Sequence, residues 1–333
     1  MSSLGQTGAS WRWFRMRCLV TGATGFLGSH LLSRLLAQGC EVAVTVRERS
    51  DCRRIEPFLP RAVQIRTDLA HISESAAQIR SFQPQVVFHL AWTGGNSARY
   101  TDDMAQVQAN LPGSLDLLQI AAEAGAKRWV GFGSAVEYGT CHGLIAETLV
   151  PVPTTLYGIS KYALCLVTDK ICALKGLEFA WVRPFWTYGP NDDALRLIPM
   201  LIDTLLAGRC PALTHGEQLW DYLYVDDAVE AIARLGTDTS ASGIFNLGSG
   251  EAVSVRSVAE QIRDRINPAL PLGFGEIAYR HDQVMHLQAD ITKLTNATGW
   301  RPQVRLADGL SRTIAWHRSQ TASLGQASLE QER

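Results

Sequence analysis

No stretch of this 333-residue chain stays apolar for the roughly 20 residues that a membrane-spanning helix needs, so an integral helical span is excluded. The opening residues, MSSLGQTGASWRWFR, lack the apolar centre of a secretory leader, and the protein is expected to stay in the cytoplasm. No charge of one sign dominates: 31 Lys and Arg stand against 32 Asp and Glu, without a long run of either. That leaves no basic footprint for nucleic acid or an anionic membrane surface. The seven cysteines (18, 40, 52, 141, 165, 172 and 210) form no CxxC pair, and several sit inside apolar strand or helix patterns. Such scatter suits buried thiols in a reducing compartment and gives no structural zinc site; no metal is expected. Small molecules remain as the default partners.

What is present is material for a large core, with 46% hydrophobic and 19% charged residues, and a length that suits two domains or one large α/β unit. Residues 1–15 precede an internal Met16 and read as a loose extension; the small, polar tail from 319 to 333 reads as disordered. From Met16 onward, apolar runs (RCLVT, EVAVTV, AVQIR, QVVFHL, RWVGFGS) alternate with helix-length segments such as 26–38 and 104–124. This alternation predicts a Rossmann-type, doubly wound α/β fold: a parallel sheet with helices on both faces. After residue 184 the rhythm changes to shorter helices, near 194–207, 254–266 and 306–318. The expected division is a dinucleotide-binding domain over 16–183 and about 218–248, with a smaller, interleaved α/β substrate domain over about 184–217 and 249–318.

The segment VTGATGFLGSHLLSRLL sets Gly22, Gly25 and Gly28 between the first strand and an amphipathic helix. Bare backbone at a helix N-terminus admits a pyrophosphate, so this turn, with Thr24, Phe26 and Leu27 in its intervening positions, predicts a dinucleotide site. A tight strand-to-helix turn without a ligand is the competing reading, and its place on the first strand of the sheet favours the site. At the end of the second strand stands Val46, where an acid would hold the ribose hydroxyls of NAD, and Arg47 follows. A guanidinium there suits a 2′-phosphate, so NADP(H) is preferred and NAD(H) remains possible. Arg47 beside Glu48 also reads as a solvated loop residue.

A later strand ends in Ser134 within FGSAVEYG, on the edge where parallel sheets bind ligands. Twenty-three residues on, LYGISKYA places Tyr157 and Lys161 one helical turn apart. Spacing alone allows either plain helix surface or a proton donor with its tuning cation. With the glycine turn, these three residues make the sequence resemble the extended short-chain dehydrogenase/reductase family, the NAD-dependent epimerase/dehydratase group that modifies nucleotide sugars. The likeness runs through TGATGFLG, TDL (67–69), FHLA (88–91), GSAVEYG, YGISK, VRPFWTYGP, DYLYVDDAVEAI, FNLGSG and the closing ADITKLTNATGWRP. It implies Tyr157 as the proton donor, with its phenolate favoured by the Lys161 ammonium, Lys161 on the nicotinamide ribose, and Ser134 orienting the substrate oxygen. It also implies Asp68 and Leu69 at the adenine, Leu90 and Ala91 along the nicotinamide ribose, Pro184 near the nicotinamide, and a homodimer joined through the helices of 104–124 and 157–175.

The chain departs from the family at several positions. Sugar dehydratases follow the Ser or Thr with acids, whereas this chain has Ala135 and Val136, with Glu137 one position too late. Dehydration is therefore not expected. Trp186 stands where many relatives have Asn, and Trp220 where many have a diphosphate-binding Arg. With Trp92 these indoles read as a stacking surface for a sugar or base ring, although each alone also reads as core packing. The function expected is NADPH-dependent reduction of a nucleotide-linked 4-keto-6-deoxyhexose. An NAD-retaining 4-epimerase is the first alternative, and a non-catalytic cofactor sensor the second.

Overall fold

The computed structural model describes residues 16–94, 101–238, 240–281 and 283–331; the expected extension at 1–15 lies outside the described residues. The first half runs β1 (Arg17–Thr21), α1 (Phe26–Ala37), β2 (Glu41–Val46), β3 (Ala62–Arg66), α2 (Ala76–Phe82), β4 (Val86–His89), α3 (Ala105–Gln108), α4 (Leu111–Glu123), β5 (Arg128–Phe132), β6 (Gly143–Ile145), α5 (Leu156–Lys175) and β7 (Glu178–Pro184). The remainder runs β8 (Trp186–Tyr188), α6 (Leu197–Leu206), β9 (Ala212–Leu213), β10 (Leu219–Tyr224), α7 (Val225–Thr237), β11 (Gly243–Leu247), β12 (Ala252–Ser254), α8 (Val255–Ile266), β13 (Gly273–Phe274), β14 (His286–Ala289), α9 (Thr292–Thr298) and α10 (Leu306–Gln331).

Seven strands form an all-parallel sheet in the order β11-β7-β5-β4-β1-β2-β3. Its inner strands β1, β4 and β5 are buried almost throughout because both faces are covered, whereas the edge strand β3 is largely exposed. Successive side chains of β1 divide between two cores: Cys18 and Val20 join Leu31, Leu35 and Ile232 from α1 and α7, while Leu19 joins Leu117, Leu118 and Leu164 from α4 and α5. The doubly wound arrangement expected from the sequence is the one observed.

A second sheet, β12-β10-β14-β6 with β8 beside β10, and a small pair, β9 and β13, build the other half. The interleaving goes further than the expected boundaries: β6, from inside 16–183, and β10, from the 218–248 segment, both belong to the second sheet. Asp221 explains why β10 sits there. Its buried carboxylate accepts backbone N–H bonds from Ser249, Gly250 at 2.9 Å and Ala289 at 3.1 Å, tying β10 to its neighbours. The last helix, α10, runs from Leu306 to Gln331. Leu310, Ile314 and His317 bury one stripe of this helix.

Candidate active site

The glycine turn opens at the carboxyl end of β1. Gly22 has φ +71°, and a Cβ there would lie 2.7 Å from the Ala91 nitrogen; one on Gly28 would lie 2.2 Å from the Gly22 carbonyl oxygen. Both positions therefore require glycine. Gly25 donates to the Gly22 carbonyl at 3.0 Å and precedes α1, whose N-terminus has no side-chain cap. Bare backbone before an uncapped helix fits a dinucleotide pyrophosphate. Thr24 belongs to this turn, Leu27 lies in the first turn of α1, and Phe26 packs edge-on against His30. Leu90 and Ala91, directly after β4, press on the turn, with the Ala91 N–H donating to Thr21 Oγ1 at 3.2 Å.

Farther along the same sheet edge, Asp68 Oδ1 accepts the Ala70 N–H at 3.0 Å and so caps the 3₁₀ stretch that begins at the buried Leu69. Arg47 is exposed directly beyond the buried Val46. Sequence reasoning missed Arg54, which donates to the Asn191 carbonyl at 2.9 Å and to the Thr24 carbonyl at 3.5 Å, joining the glycine turn to the loop after β8.

Thr155 caps α5, its Oγ1 accepting the Gly158 N–H at 3.1 Å, and this fixes Tyr157 and Lys161 in the first two turns. Lys161 is buried; its Nζ donates to the Phe132 carbonyl at 2.6 Å and lies 3.8 Å from the Trp92 ring centroid. Trp92 meets Tyr157 edge-on, with centroids 6.1 Å apart, and donates from Nε1 to Gln106 at 2.7 Å. Burial lowers the Lys161 pKa from 10.5 to about 7, against the pull of Glu137. Burial also raises the Tyr157 phenol to about 12, opposed by a hydrogen bond from Ser134 and reinforced by the charge of Glu137. Desolvation is the largest influence on both groups, and Lys161 Nζ is held by the Phe132 carbonyl and the Trp92 ring. Burial thus favours the protonated form of the Tyr157 phenol.

Ser134 follows β5 and opens a 3₁₀ turn as a capping box. Its Oγ accepts the Val136 N–H at 3.2 Å, while its own N–H donates to Glu137 Oε1 at 2.9 Å. Glu137 points into the core, accepting from Trp181 Nε1 at 3.0 Å and from the equally buried Arg183 Nε at 2.8 Å. A Cβ on Gly133 would fall 1.8 Å from Glu137 Oε1, so the glycine makes room for that carboxylate. Glu137 is consequently an anchor beneath Ser134, and Ala135 and Val136 offer no titratable group above it.

On the substrate side, Pro184 ends β7 next to Leu247. Trp186 and Trp220 stack on each other, with centroids 4.7 Å apart and planes 16° from parallel, and Trp220 Nε1 donates to the Val284 carbonyl at 3.2 Å. Both are half-buried against the core. The sequence offered ligand stacking or core packing for each indole; the structure shows the two departures packing as one unit. Sequence reasoning missed Arg196 as well. Its guanidinium lies 5.7 Å from the Trp186 ring, donates to Asp192 at 3.1 Å, and is among the charges acting on the Tyr157 phenol. The available signal was a cation directly before the apolar helix LIPMLIDTLL.

A glycine turn on the first strand, with Ser134, Tyr157 and Lys161 gathered at the same sheet edge, defines a nicotinamide-dependent oxidoreductase. Residues 18–248 match the model of the NAD dependent epimerase/dehydratase family, and the chain belongs to that family. It is 28% identical over 322 residues to a UDP-glucose 4-epimerase of Mycolicibacterium smegmatis, covering 92% of this chain and 100% of that one. It is 30% identical over 312 residues to a dTDP-glucose 4,6-dehydratase of Streptomyces griseus, covering 90% and 93%. Among solved structures, the UDP-glucose 4-epimerase of Thermus thermophilus in complex with NAD superposes with a TM-score of 0.81 at 28% identity, covering 91% and 99%.

Proposed function

We propose that the protein reduces the 4-keto group of a nucleotide-linked 4-keto-6-deoxyhexose with NADPH. The observation that carries this reading is the placing of Tyr157 and Lys161 in the first turns of α5 and of Ser134 after β5 at one sheet edge, with only Ala135 and Val136 following Ser134 where an elimination would need an acid and a base. The nicotinamide supplies hydride. Tyr157 gives its proton to the oxygen of the carbonyl being reduced, Ser134 holds that oxygen, and Lys161 orients the nicotinamide ribose. Gly22, Gly25 and Gly28 cradle the pyrophosphate; Asp68 and Leu69 border the adenine; Leu90, Ala91 and Pro184 flank the nicotinamide end. Arg47, exposed and with no acid before it, suits the 2′-phosphate. Trp92, Trp186 and Trp220 line the substrate side, where Arg196 supplies a cation for an anionic substrate.

The second reading is an NAD-retaining 4-epimerase, favoured by full-length similarity to UDP-glucose 4-epimerases and by the NAD held in one such structure. Purified protein tested against dTDP-, GDP-, CDP- and UDP-4-keto-6-deoxyhexoses separates the two. Stoichiometric NADPH oxidation supports the reductase. Tightly bound NAD that copurifies, with interconversion of 4-epimers and no net cofactor consumption, replaces it with the epimerase.

A homodimer fits the same reading. Ile159, Leu166, Val167 and Leu174 on α5 are 45%, 53%, 43% and 74% exposed, an apolar surface of the kind a second copy covers. Sedimentation at micromolar concentration should show the dimer, and monomer alone rejects it.

A further inference from the structure

Trp92 lies just beyond β4, next to the Ala91 that presses on the glycine turn. Its indole is held by protein groups on several sides. The face carries the Lys161 ammonium, whose Nζ is 3.8 Å from the ring centroid and donates to the Phe132 carbonyl at 2.6 Å. The ring meets Tyr157 edge-on, with centroids 6.1 Å apart, and the side chain packs against the core that holds Leu117 and Leu164. Nε1 donates to Gln106 Oε1 at 2.7 Å. That acceptor is itself fixed: Gln106 is fully buried, and its Nε2 donates to the Gly94 carbonyl at 3.1 Å. Thr93, between them, is held by the equally buried Asn110, which accepts the Thr93 N–H at 2.7 Å and donates to the Thr93 carbonyl at 3.2 Å. Amide side chains buried this deeply are costly unless they hydrogen-bond, and both of these, one in α3 and one at the start of α4, are directed at the segment that carries the indole.

We propose that Trp92 is a positioning residue for the catalytic pair: its face holds the Lys161 ammonium turned toward the nicotinamide ribose, and its contact with Tyr157 keeps the phenol in line. The proposal rests on the reading of Tyr157 and Lys161 given above. An ammonium has three N–H donors. With one on Phe132 and one toward the ring, the third is left for a ribose hydroxyl. Desolvation disfavours a buried ammonium, and an aromatic face attracts it without adding a base that would compete for the phenol proton. An aliphatic side chain in the same place would fill the space but offer the charge nothing. The bond to Gln106 fixes the plane of the indole, so the ring serves Lys161 and does not swing out to stack on a sugar.

The contact can be read without a substrate. The chain has five lysines, at 127, 161, 170, 175 and 293, so labelling lysine with carbon-13 at the ε-carbon gives a short magnetic-resonance spectrum of the full, folded chain. The Lys161 signal is the one missing from Lys161→Met, or from Lys161→Arg where the Met variant folds poorly. Its ε-methylene protons should be displaced upfield by the indole ring current; Trp92→Leu should abolish the displacement and Trp92→Phe keep part of it. Turnover is then measured with NADPH on the sugar nucleotide that the substrate panel selects. Trp92→Leu should lower kcat about ten- to thirtyfold, the size of one desolvated cation–π contact, with KM changed less than about twofold, and Trp92→Phe should recover most of the loss. A wild-type Lys161 signal without the displacement overturns the proposal. So does a Trp92→Leu enzyme that keeps its kcat; a raised KM in that variant would assign the indole to substrate stacking. Equal losses in Trp92→Leu and Trp92→Phe overturn it too, since the ring face would then not matter. Failure of the catalytic reading shows separately, as a Tyr157→Phe enzyme that keeps its turnover while the Lys161 signal is still displaced.

Discussion

Replacing Lys161 by Met should change the pH dependence of stability in a definite direction. The side chain is buried and its pKa falls from 10.5 to about 7, so in the folded state it holds a proton less readily than in the unfolded chain. Below pH 7 both states carry the proton, and the cost of burying the charge is fully present. Between pH 7 and 10.5 the unfolded state binds more protons, so the stability of wild type rises relative to the Met variant; above 10.5 the difference levels off. At about 1.36 kcal/mol per pH unit, the fall from 10.5 to about 7 sets a ceiling of roughly 5 kcal/mol. Relaxation around a buried lysine makes about half of that the reasonable expectation, or roughly 1 to 2 kcal/mol between pH 7 and 9. The variant also leaves the Phe132 carbonyl without its donor, a cost of about 1 to 3 kcal/mol that does not vary over this range and cancels from the slope. Urea unfolding followed by tryptophan fluorescence, on both proteins stripped of cofactor, gives the difference at each pH. A difference that stays flat, or that falls as pH rises, refutes the assignment of Lys161 as a desolvated cation.

Tyr157→Phe keeps the ring that meets Trp92 but loses the proton, so turnover should fall by about two orders of magnitude or more while cofactor titration is unchanged. Arg47→Ala should erase most of a preference for NADPH over NADH; because the side chain is exposed, a change of about five- to tenfold is expected in direct titration, and tighter NADH binding by wild type would contradict the cofactor assignment. Trp220→Ala should lower stability as well as weaken substrate binding, because Trp220 packs on Trp186 and the core. A double-mutant cycle with Trp186→Ala should return a coupling of about 0.5 to 1.5 kcal/mol, and additivity would mean that the stack contributes nothing. Glu137→Ala strands the buried Arg183 and removes the acceptor of the Ser134 N–H, so denaturant unfolding should show a loss of about 3 to 5 kcal/mol, with Glu137→Gln less affected.

The parallel sheet and the glycine turn were legible because each is set by local pattern: apolar runs of strand length, and glycines where a Cβ would strike Ala91 or the Gly22 carbonyl. The gathering of Ser134, Tyr157 and Lys161 could be anticipated because strand β5 ends, and helix α5 begins, on one sheet edge. Other features were not legible. The upward shift of the Tyr157 pKa and the downward shift of the Lys161 pKa follow from burial, which spacing does not report. The mutual stacking of Trp186 and Trp220 depends on the register of β8 with β10, where Trp186 faces Tyr222. The assignment of β6 and β10 to the second sheet depends on partners far along the chain.

The pairing of β6 with β14 has a consequence for assembly. Gly143 meets Leu287 and Ile145 meets Ala289, so a strand made before the middle of the chain receives its ladder partner near the end. During synthesis from the amino terminus, strands β1 to β5 can pair early, while β6 waits beside them until β14 emerges. The second sheet thus closes late and through contacts of high sequence separation, which slows its folding and leaves strand edges exposed in the meantime. A chaperone that shields nascent chains would find its longest-lived target in the 143–153 segment, whose Leu144, Val150 and Val152 remain 60%, 73% and 66% exposed even in the finished fold.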